Sequence, residues 1–281
     1  MQLSKYCLNE PTQQLRLVSY LAPNMFGFYE AVGAYLSRVF KVEIQLEQSR
    51  YDPLEDPILL NDQLDLAFIC GLPFARYHQA TSDQLQALVA PVMQATRYQN
   101  RPVYFSDIIV KVDSNVMSFD DLAGKTFSYN DLGSNSGYNL VRQRLIQAGY
   151  PNHFFGNLIS SGSHQQSIRL VIEGLADCAA IDSTVLEQEL FDFPELSHHL
   201  RVIDSIGPCL VPPVVVAQHL GKAFIDSLES ALIQPDTELQ SAMKRSQIQR
   251  YVPVKSEDYA HLGRMYDAAL QRGYERIGIE R

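Results

Sequence analysis

The sequence predicts an α/β protein made of two lobes. Short apolar, β-rich runs alternate with amphipathic segments through most of the chain, a pattern typical of sheets covered by helices. The length of 281 residues fits about two domains of roughly 150 residues each. Because no Pro/Gly/Ser-rich linker separates two halves, we expect strands that cross between the lobes and form a hinge. The candidate crossings are Val103–Ser106 and Ser205–Pro208.

Strands are predicted from the short apolar runs, which are rich in β-branched and aromatic residues. In chain order these runs are Leu15–Tyr20, Val42–Leu46, Leu64–Ile69, Leu85–Val92, Asp107–Val110, Lys125–Ser128, Leu175–Ser183, Val214–Ala217 and Tyr251–Val254. Several of them are separated by helical patterns, which favours an α/β sheet architecture.

Helices are predicted where apolar residues recur with a period near 3.6. Phe26–Phe40 carries such a stripe, and Tyr138–Ala148 and Gln165–Glu173 are each followed by a glycine that ends the helix. The last two helices named each follow a polar loop, which is where ligands meet α/β folds. Ala223–Leu232 is a further segment, and a last helix is predicted around Tyr259–Arg272.

The charge balance argues against a nucleic acid partner. Lys and Arg total 23 against 32 Asp and Glu, a net charge of −9, whereas binding to a phosphate backbone needs massed cations. A small anion remains compatible with this charge, because a few oriented N–H groups and hydroxyls can hold it.

The cysteine spacing argues against a metal site and against a disulfide framework. Cys7, Cys70, Cys178 and Cys209 lie far apart, without C-x-x-C or a Cys/His spacing suited to zinc. Two of them, Cys70 and Cys178, sit in apolar runs that are typical of reduced core thiols. The glycine motifs that bind nucleotides are also missing. No metal and no cofactor is therefore expected.

The amino-terminal segment carries no visible export signal. It lacks a basic region followed by an apolar run and a small-residue cleavage site, and no stretch of the sequence is apolar over the length of a membrane span. As written, the sequence predicts a cytoplasmic protein. If a leader was omitted, we expect a periplasmic or lipid-anchored location.

The strongest local signal is the stretch KTFSYNDLGSNSG (125–137), which predicts a strand, a turn and the start of a helix. Ser134, Asn135 and Ser136 occupy the N-cap region, where free N–H groups meet the positive end of the helix dipole. An ordinary Ser/Asn cap is the alternative. Three adjacent polar residues between two glycines exceed what a cap requires, which favours an oxyanion site.

A second polar loop, Ser160–His164, leads into the next helix, and His164 at the helix start can donate to an anion. A solvent-exposed or locally bonded histidine is the alternative. Asp182 and Ser183 then end a buried strand at its carboxyl end, the usual place for ligand contacts. For Asp182, a helix N-cap is an equal alternative.

Aromatic residues of the first half are candidates for an apolar wall beside the anion. These residues are Phe74, Tyr77, Tyr51 and Tyr104. The alternative is packing in the core, which is the common place for aromatic side chains, Phe74 and Tyr77 in particular.

Taken in order, these pieces resemble the phosphate/phosphite/phosphonate-binding proteins of ABC transporters, a branch of the type 2 periplasmic binding proteins. The matching stretches are DLAFICGLPF (65–74), YFSDIIVKVDS (104–114), DDLAGKTFSYNDLGSNSG (120–137), SGSHQQSIRLVIEGLADCAAIDS (161–183), VPPVVVAQHL (211–220) and YVPVKSEDY (251–259). The resemblance covers nearly the whole chain, from about Leu15 to Tyr274.

The resemblance implies two α/β lobes joined by two crossing strands, with one small ligand in the cleft between them. We expect the first lobe to comprise residues 1–104 and 207–281, and the second lobe to comprise residues 105–206. The ligand-binding residues that it implies are Ser134, Asn135, Ser136, His164, Asp182 and Tyr51. Asn135 stands where the family usually has Thr, so an amide replaces a hydroxyl there.

The implied function is non-enzymatic binding of a small oxyanion, first of all a phosphonate or a related phosphorus anion, by cleft closure. Tyr51, Phe74 and Tyr104 are expected to shape the remainder of the site. An ABC transporter permease is the further partner that the resemblance implies.

Two other functions stay open. One is an enzyme on the same fold that resembles the pyrimidine-precursor synthases of thiamine formation. It would need a lysine for pyridoxal phosphate, and none of Lys41, Lys111 and Lys125 has a distinctive context. The other is a cytoplasmic sensor of small anions.

Overall fold

The computed structural model describes residues 14–279, so Cys7 lies outside the described residues. The strands are β1 Gln14–Ser19, β2 Glu43–Gln48, β3 Leu66–Phe68, β4 Leu85–Met93, β5 Val103–Lys111, β6 Thr126–Tyr129, β7 Asn157–Ser160, β8 Cys178–Asp182, β9 Leu200–Leu210, β10 Val214–Ala217 and β11 Ile248–Pro253. The α-helices are α1 Phe26–Phe40, α2 Pro57–Leu60, α3 Gly71–Ala80, α4 Leu140–Ala148, α5 His164–Ile172, α6 Ser183–Asp192, α7 Lys222–Ile233, α8 Thr237–Arg245 and α9 Ser256–Gln271. A π-helix, Asn135–Asn139, directly precedes α4.

The first lobe is built on a sheet of six strands in the order β11-β4-β10-β3-β1-β2. β1 runs parallel to β2 and β3, whereas β10 and β11 pair antiparallel with their neighbours. All residues of β3 are buried, as expected for a strand with both faces covered. Residues of α1, α3, α7, α8 and α9 join these strands in one apolar core.

The second lobe is built on a sheet of five strands in the order β7-β6-β8-β5-β9. β6 runs parallel to β7 and β8, and β5 runs antiparallel to β8 and β9. Consecutive residues of a strand face opposite sides. Ile108 and Ile109 of β5 accordingly belong to two separate apolar clusters. The sheet is therefore covered on both faces.

β5 and β9 are the strands that cross between the lobes. They pair antiparallel from Val103 opposite Leu210 to Lys111 opposite Leu200. Val103 is buried in the core of the first lobe, while Ile109 is buried in the second. The two-lobed fold joined by two crossing strands is confirmed. We retain the lobe boundaries at 104/105 and 206/207 as a proposal, which the change of core along β5 supports.

A partly buried ion pair fixes the crossing strands to the loop that follows β4. Both terminal nitrogens of Arg97 bind the carboxylate of Asp107 in β5, at 2.9 and 2.7 Å. The Ser205 hydroxyl of β9 donates to the same carboxylate at 2.7 Å. Because Asp107 is fully buried, its charge needs this partner. The carboxylate in turn raises the pKa of Arg97 above its usual value.

The segment after β3 is helical although it contains glycine and proline. α3 begins at Gly71 and includes Pro73 in its first turn. Proline is tolerated at this place because the first N–H groups of a helix have no intrahelical partner. A Cβ at Gly71 would lie 3.0 Å from Leu262 and Tyr259 of α9. Glycine therefore permits the close packing of α3 on α9.

The described cysteines Cys70, Cys178 and Cys209 are free, and Cys178 and Cys209 are buried. Cys70, predicted as a core thiol, is half-buried and lines the cavity between the lobes. Burial raises the pKa of the Cys209 thiol to about 11, which keeps it protonated at neutral pH. Within residues 14–279, no helix is both long and apolar enough to cross a membrane.

The close approach of two loops of the second lobe gives a test of the packing. A Cβ on Gly156 would overlap the backbone oxygen of Gly124, which cannot move aside as a flexible side chain does. We expect Gly156→Ala to lower the free energy of unfolding by about 1–3 kcal/mol, the usual cost of overpacking. Denaturant unfolding monitored by circular dichroism measures this.

The matched control is Gly27→Ala on the exposed side of α1, where a Cβ would meet nothing within 4 Å. It is expected to be neutral or to stabilise by up to about 1 kcal/mol, because alanine is the better helix former. Equal destabilisation by both substitutions contradicts the packing described for Gly156.

Candidate functional site

A cavity of about 630 Å³ lies between the lobes. Helices α1, α3, α5 and α6 and the π-helix all begin at it. The lining residues at or next to these helix starts are Met25, Cys70, Ser134, His164 and Asp182. The first N–H groups of a helix lack intrahelical partners and carry the positive end of its dipole. The backbone alone therefore makes this cavity favourable for an anion, despite the negative net charge.

Ser134 and Ser136 line the cavity at the start of the π-helix. Ser134 is the N-cap, and its Oγ accepts from the amide of Gly137 at 3.0 Å. The Oγ of Ser136 lies 3.3 Å from Nε2 of His164. A Cβ on Gly137 would overlap the side chain of Asn130, so the loop requires glycine there. Helix capping and exposure to the cavity, alternatives from the sequence, occur together at Ser134.

Asn135 turns its side chain away from the cavity. It is fully buried, and its Nδ2 donates to the hydroxyl of Tyr104 at 2.8 Å. Its Oδ1 accepts from the side chain of Asn139 at 3.0 Å. The expectation that this amide faces the ligand is thus corrected. Both polar atoms of the side chain therefore have protein partners, and the bond to Tyr104 anchors the loop to the crossing strand β5.

His164 is the first residue of α5, after the N-cap Ser163. Its side chain lines the cavity and is only 7% exposed. Burial lowers its pKa to about 4, and a backbone contact with Ala180 opposes this shift. No described residue lies in hydrogen-bonding geometry with Nδ1 of His164. The imidazole is therefore neutral at pH 7 and can donate one hydrogen bond.

Asp182 is both a helix cap and a lining residue. Its Oδ1 accepts from the amide of Thr184 at 2.8 Å and from the Thr184 hydroxyl at 2.7 Å, which caps α6. The residue lines the cavity and is 7% exposed. Burial raises its pKa to about 6, although the bonds from Thr184 oppose the shift. The N-cap alternative is confirmed, and the carboxyl group still faces the site.

The aromatic candidates are distributed differently from the prediction. Tyr51 lines the cavity rim and is 62% exposed. Phe74 is fully buried in the core of the first lobe, edge-on to the Tyr259 ring at 5.7 Å. Tyr104 is buried as well, and its hydroxyl accepts from Asn135. Phe74 and Tyr104 are therefore corrected to core residues, since α3 and β5 turn these rings into the lobe.

Three charged residues of the cavity rim were not predicted from the sequence. Arg50 and Asp52 flank Tyr51, and Asp131 precedes the serine loop. Arg50 is the only Lys or Arg among the described residues that line the cavity. Desolvation in the cleft, and then the charge of Asp52, raise the pKa of Asp131 to about 6. Their position beside predicted site residues was the available signal, but the sequence pattern does not distinguish them from ordinary surface charges.

Neither a metal site nor a cofactor lysine is formed by the described residues. No group of three or more His, Cys, Asp or Glu residues within positions 14–279 is arranged to hold a metal ion. The candidate lysines for pyridoxal phosphate, Lys41, Lys111 and Lys125, do not line the cavity. The enzyme alternative therefore lacks the residue that it requires at this site.

Comparison with known sequences gives one family. Residues 18–259 match the family described as "ABC transporter, phosphonate, periplasmic substrate-binding protein". A curated relative, "Probable ABC transporter phosphite binding protein PhnD1" of Prochlorococcus marinus, is 28% identical over 159 residues. That match covers 53% of this chain and 53% of the relative, so the chain spans about half the length of the curated relative that it matches.

Two solved structures share the fold. A binding protein component of an ABC phosphonate transporter from Pseudomonas aeruginosa has a TM-score of 0.80 at 15% identity, covering 93% of this chain and 88% of its own. PhnD1 of Prochlorococcus marinus, in complex with methylphosphonate, has a TM-score of 0.77 at 19% identity, covering 92% and 99%. At these identities the likeness establishes the fold alone.

Two buried titratable groups of the cavity, His164 and Asp182, should give opposite dependences of stability on pH. The pKa of Asp182 rises from 3.8 to about 6 on folding, so its contribution is present below about pH 4 and is lost as the pH rises to 6. The pKa of His164 falls from 6.5 to about 4, so its contribution is present above pH 6.5 and is lost as the pH falls to 4.

We therefore expect His164→Gln to become less stable as the pH rises from 4 to 6, by up to ~1.4 kcal/mol per pH unit relative to the wild type. Asp182→Asn, which keeps a capping side chain, should show the reverse slope. Urea unfolding at several pH values measures both.

The control is Asp236→Asn at the exposed N-cap of α8. The amide of Leu239 and the side chain of Arg38 lower the pKa of Asp236 below 3.8. It therefore titrates below pH 4, and its substitution should leave the slope between pH 5 and 6 unchanged. Identical slopes in the wild type, His164→Gln and Asp182→Asn exclude the protonation states assigned above.

Proposed function

The chain belongs to the family of periplasmic phosphonate substrate-binding proteins of ABC transporters, and on that premise we propose that it binds a small phosphorus oxyanion, first of all a phosphonate, between its lobes. The observation that carries this proposal is the convergence of helix starts on one cavity, with the hydroxyls of Ser134 and Ser136 beside them. The relatives support the ligand class, since one is named a phosphite-binding protein and another is in complex with methylphosphonate.

In the proposed complex, Ser134, Ser136 and His164 donate to the anionic head. Neutral donors suit this task, because the pKa of His164 near 4 leaves its imidazole uncharged. Arg50 at the rim adds a positive charge where the anion enters. Tyr51 covers the entrance, and Asp182 meets a donor group of the ligand or orients His164.

Asn135 acts indirectly in this proposal, by holding the loop. Its bond to the Tyr104 hydroxyl joins the anion loop to a crossing strand. Binding of the anion then favours closure of the lobes, because an anion between the lobes has all of its hydrogen bonds only when both lobes contribute contacts.

The ligand leaves chemically unchanged in the proposed function, and the protein passes it to the permease of an ABC transporter. The site lacks the lysine that the enzyme alternative needs, which supports this reading. We place the protein in the periplasm, where the family acts. Incubation with methylphosphonate followed by phosphorus-31 NMR tests the absence of turnover, and a new resonance in the presence of the protein contradicts it.

Ser136→Ala should weaken binding of methylphosphonate by about 10- to 100-fold, because a hydrogen bond to a charged group contributes roughly 1.5–3 kcal/mol. Isothermal titration calorimetry of the purified protein at pH 7 measures the affinity. Ser136 is the sharper choice than Ser134, whose hydroxyl also caps the helix through the amide of Gly137.

The matched control is Ser256→Ala. This serine is also buried, but it accepts from the amide of Ala87 and does not line the cavity. It should keep the wild-type affinity. Equal affinities of wild type and Ser136→Ala place the anion elsewhere and refute the proposed site.

A further inference from the structure

The cavity is much larger than a small anion needs. Its volume is about 630 Å³, whereas methylphosphonate has only a handful of non-hydrogen atoms. Pockets of about 300–1,000 Å³ generally hold organic molecules of considerable size. The serine and histidine donors for the anion occupy the side of the second lobe.

This space persists although the lobes already touch around it. On one side, Asn24 of the first lobe donates to the backbone oxygen of Val185 in α6, at 3.3 Å. On the other side, Asp52 of the first lobe lies against Gly133, with its Oδ2 3.3 Å from the place of a Cβ. The two lobes are therefore already joined on two sides of the cavity.

The first lobe gives this space apolar walls. The lining side chains from α1, β4, β10 and β11 and from the residue preceding α1 are Met25, Phe28, Met93, Val214, Ile248 and Tyr251. Each of them is more than nine-tenths buried. We call the part of the cavity that they line the apolar chamber. Phe28 and Tyr251 stack at 6.3 Å between ring centroids, which makes one flat aromatic wall.

Two phenol groups in this region have no protein partner. Tyr29 and Tyr251 line the cavity and are 5% and 2% exposed. No hydrogen bond of either hydroxyl to another described residue is present, whereas Tyr35, Tyr98 and Tyr259 each have one. Because both residues line the cavity, their hydroxyls are free to bond to a molecule that enters the chamber.

We propose that the ligand of this site is a phosphonate with an extended organic substituent, which fills the apolar chamber while its anionic head binds at Ser134, Ser136 and His164. This inference rests on the proposed function. A polar atom on the substituent, such as a hydroxyl or carbonyl oxygen, meets the hydroxyls of Tyr29 and Tyr251.

Calorimetry with methyl-, butyl- and hexylphosphonate tests the proposal on the intact protein. Affinity should rise along the series, by roughly fourfold for each methylene that is fully buried. Affinity that is constant or falls from methyl to hexyl overturns the inference and leaves the proposed function intact. Absence of binding by all three compounds overturns the proposed function itself.

The variant Val214→Phe tests whether the alkyl chain lies in the apolar chamber. It adds a ring at the wall of the chamber, so the ratio of hexyl- to methylphosphonate affinity should fall at least tenfold. An unchanged ratio means that the chain does not lie in this chamber and overturns the assignment.

Thermal unfolding of two conservative variants tests whether the side chain of Val214 borders open space. Val214→Leu should change the Tm by less than about 2 °C, because its extra carbon enters open space. Val216→Leu, on the same strand but away from the cavity, should lower the Tm by several degrees through overpacking. Equal losses of Tm contradict an open chamber at Val214 and overturn the proposal.

Discussion

The structure depends on one electrostatic arrangement: in a chain with a net charge of −9, the described residues line the interlobe cavity with oriented neutral donors and one arginine instead of massed cations. The topology supplies the donors. β1, β3, β6, β7 and β8 are each followed by a helix or π-helix that begins at the interlobe cavity. Because the carboxyl ends of these strands point toward the same gap, their helix dipoles add at one place.

The anion loop is bound into the hinge by a buried polar network. Asn135 donates to the Tyr104 hydroxyl of β5 and lies 3.5 Å from the Cys209 sulfur of β9. Asn139 links Asn135 to the buried Arg142, whose guanidinium lies 4.6 Å from the centre of the Tyr266 ring in α9. Both crossing strands thus contact the loop directly, and α9 contacts it through Arg142. In the proposed function, a ligand that displaces the loop disturbs these bonds at the hinge.

The two sides of the cavity carry different chemistry. The second lobe presents serine hydroxyls and a neutral imidazole, while the first lobe presents methionine and aromatic surface with two unpartnered phenols. The carboxyl groups of Asp131 and Asp182 have pKa values of about 6, so both are mostly ionised at pH 7. The donors of the cavity must therefore outweigh the repulsion that these carboxylates exert on an anion.

The sequence by itself determined the fold class, the family and most of the regular elements. Phe26–Phe40 and Val214–Ala217 have the predicted bounds, because apolar periodicity is a local property of the chain. It also pointed to Ser134, Ser136, His164, Asp182 and Tyr51, all of which line the cavity. These residues lie at loop-to-helix junctions, which can be identified from the local sequence pattern.

Only the tertiary structure decided which side chains turn inward. Asn135 lies between two serines that face the cavity, yet the partner of its amide, Tyr104, is thirty-one residues away along the chain. The sequence left open whether Phe74 lies in the site or in the core. In the structure its ring packs edge-on against Tyr259 of α9, in the core. Arg50, Asp52 and the apolar chamber likewise depend on lobes meeting across a gap. Contacts between distant segments decide such roles, because burial and hydrogen-bond partners are properties of the packed chain and not of its local pattern.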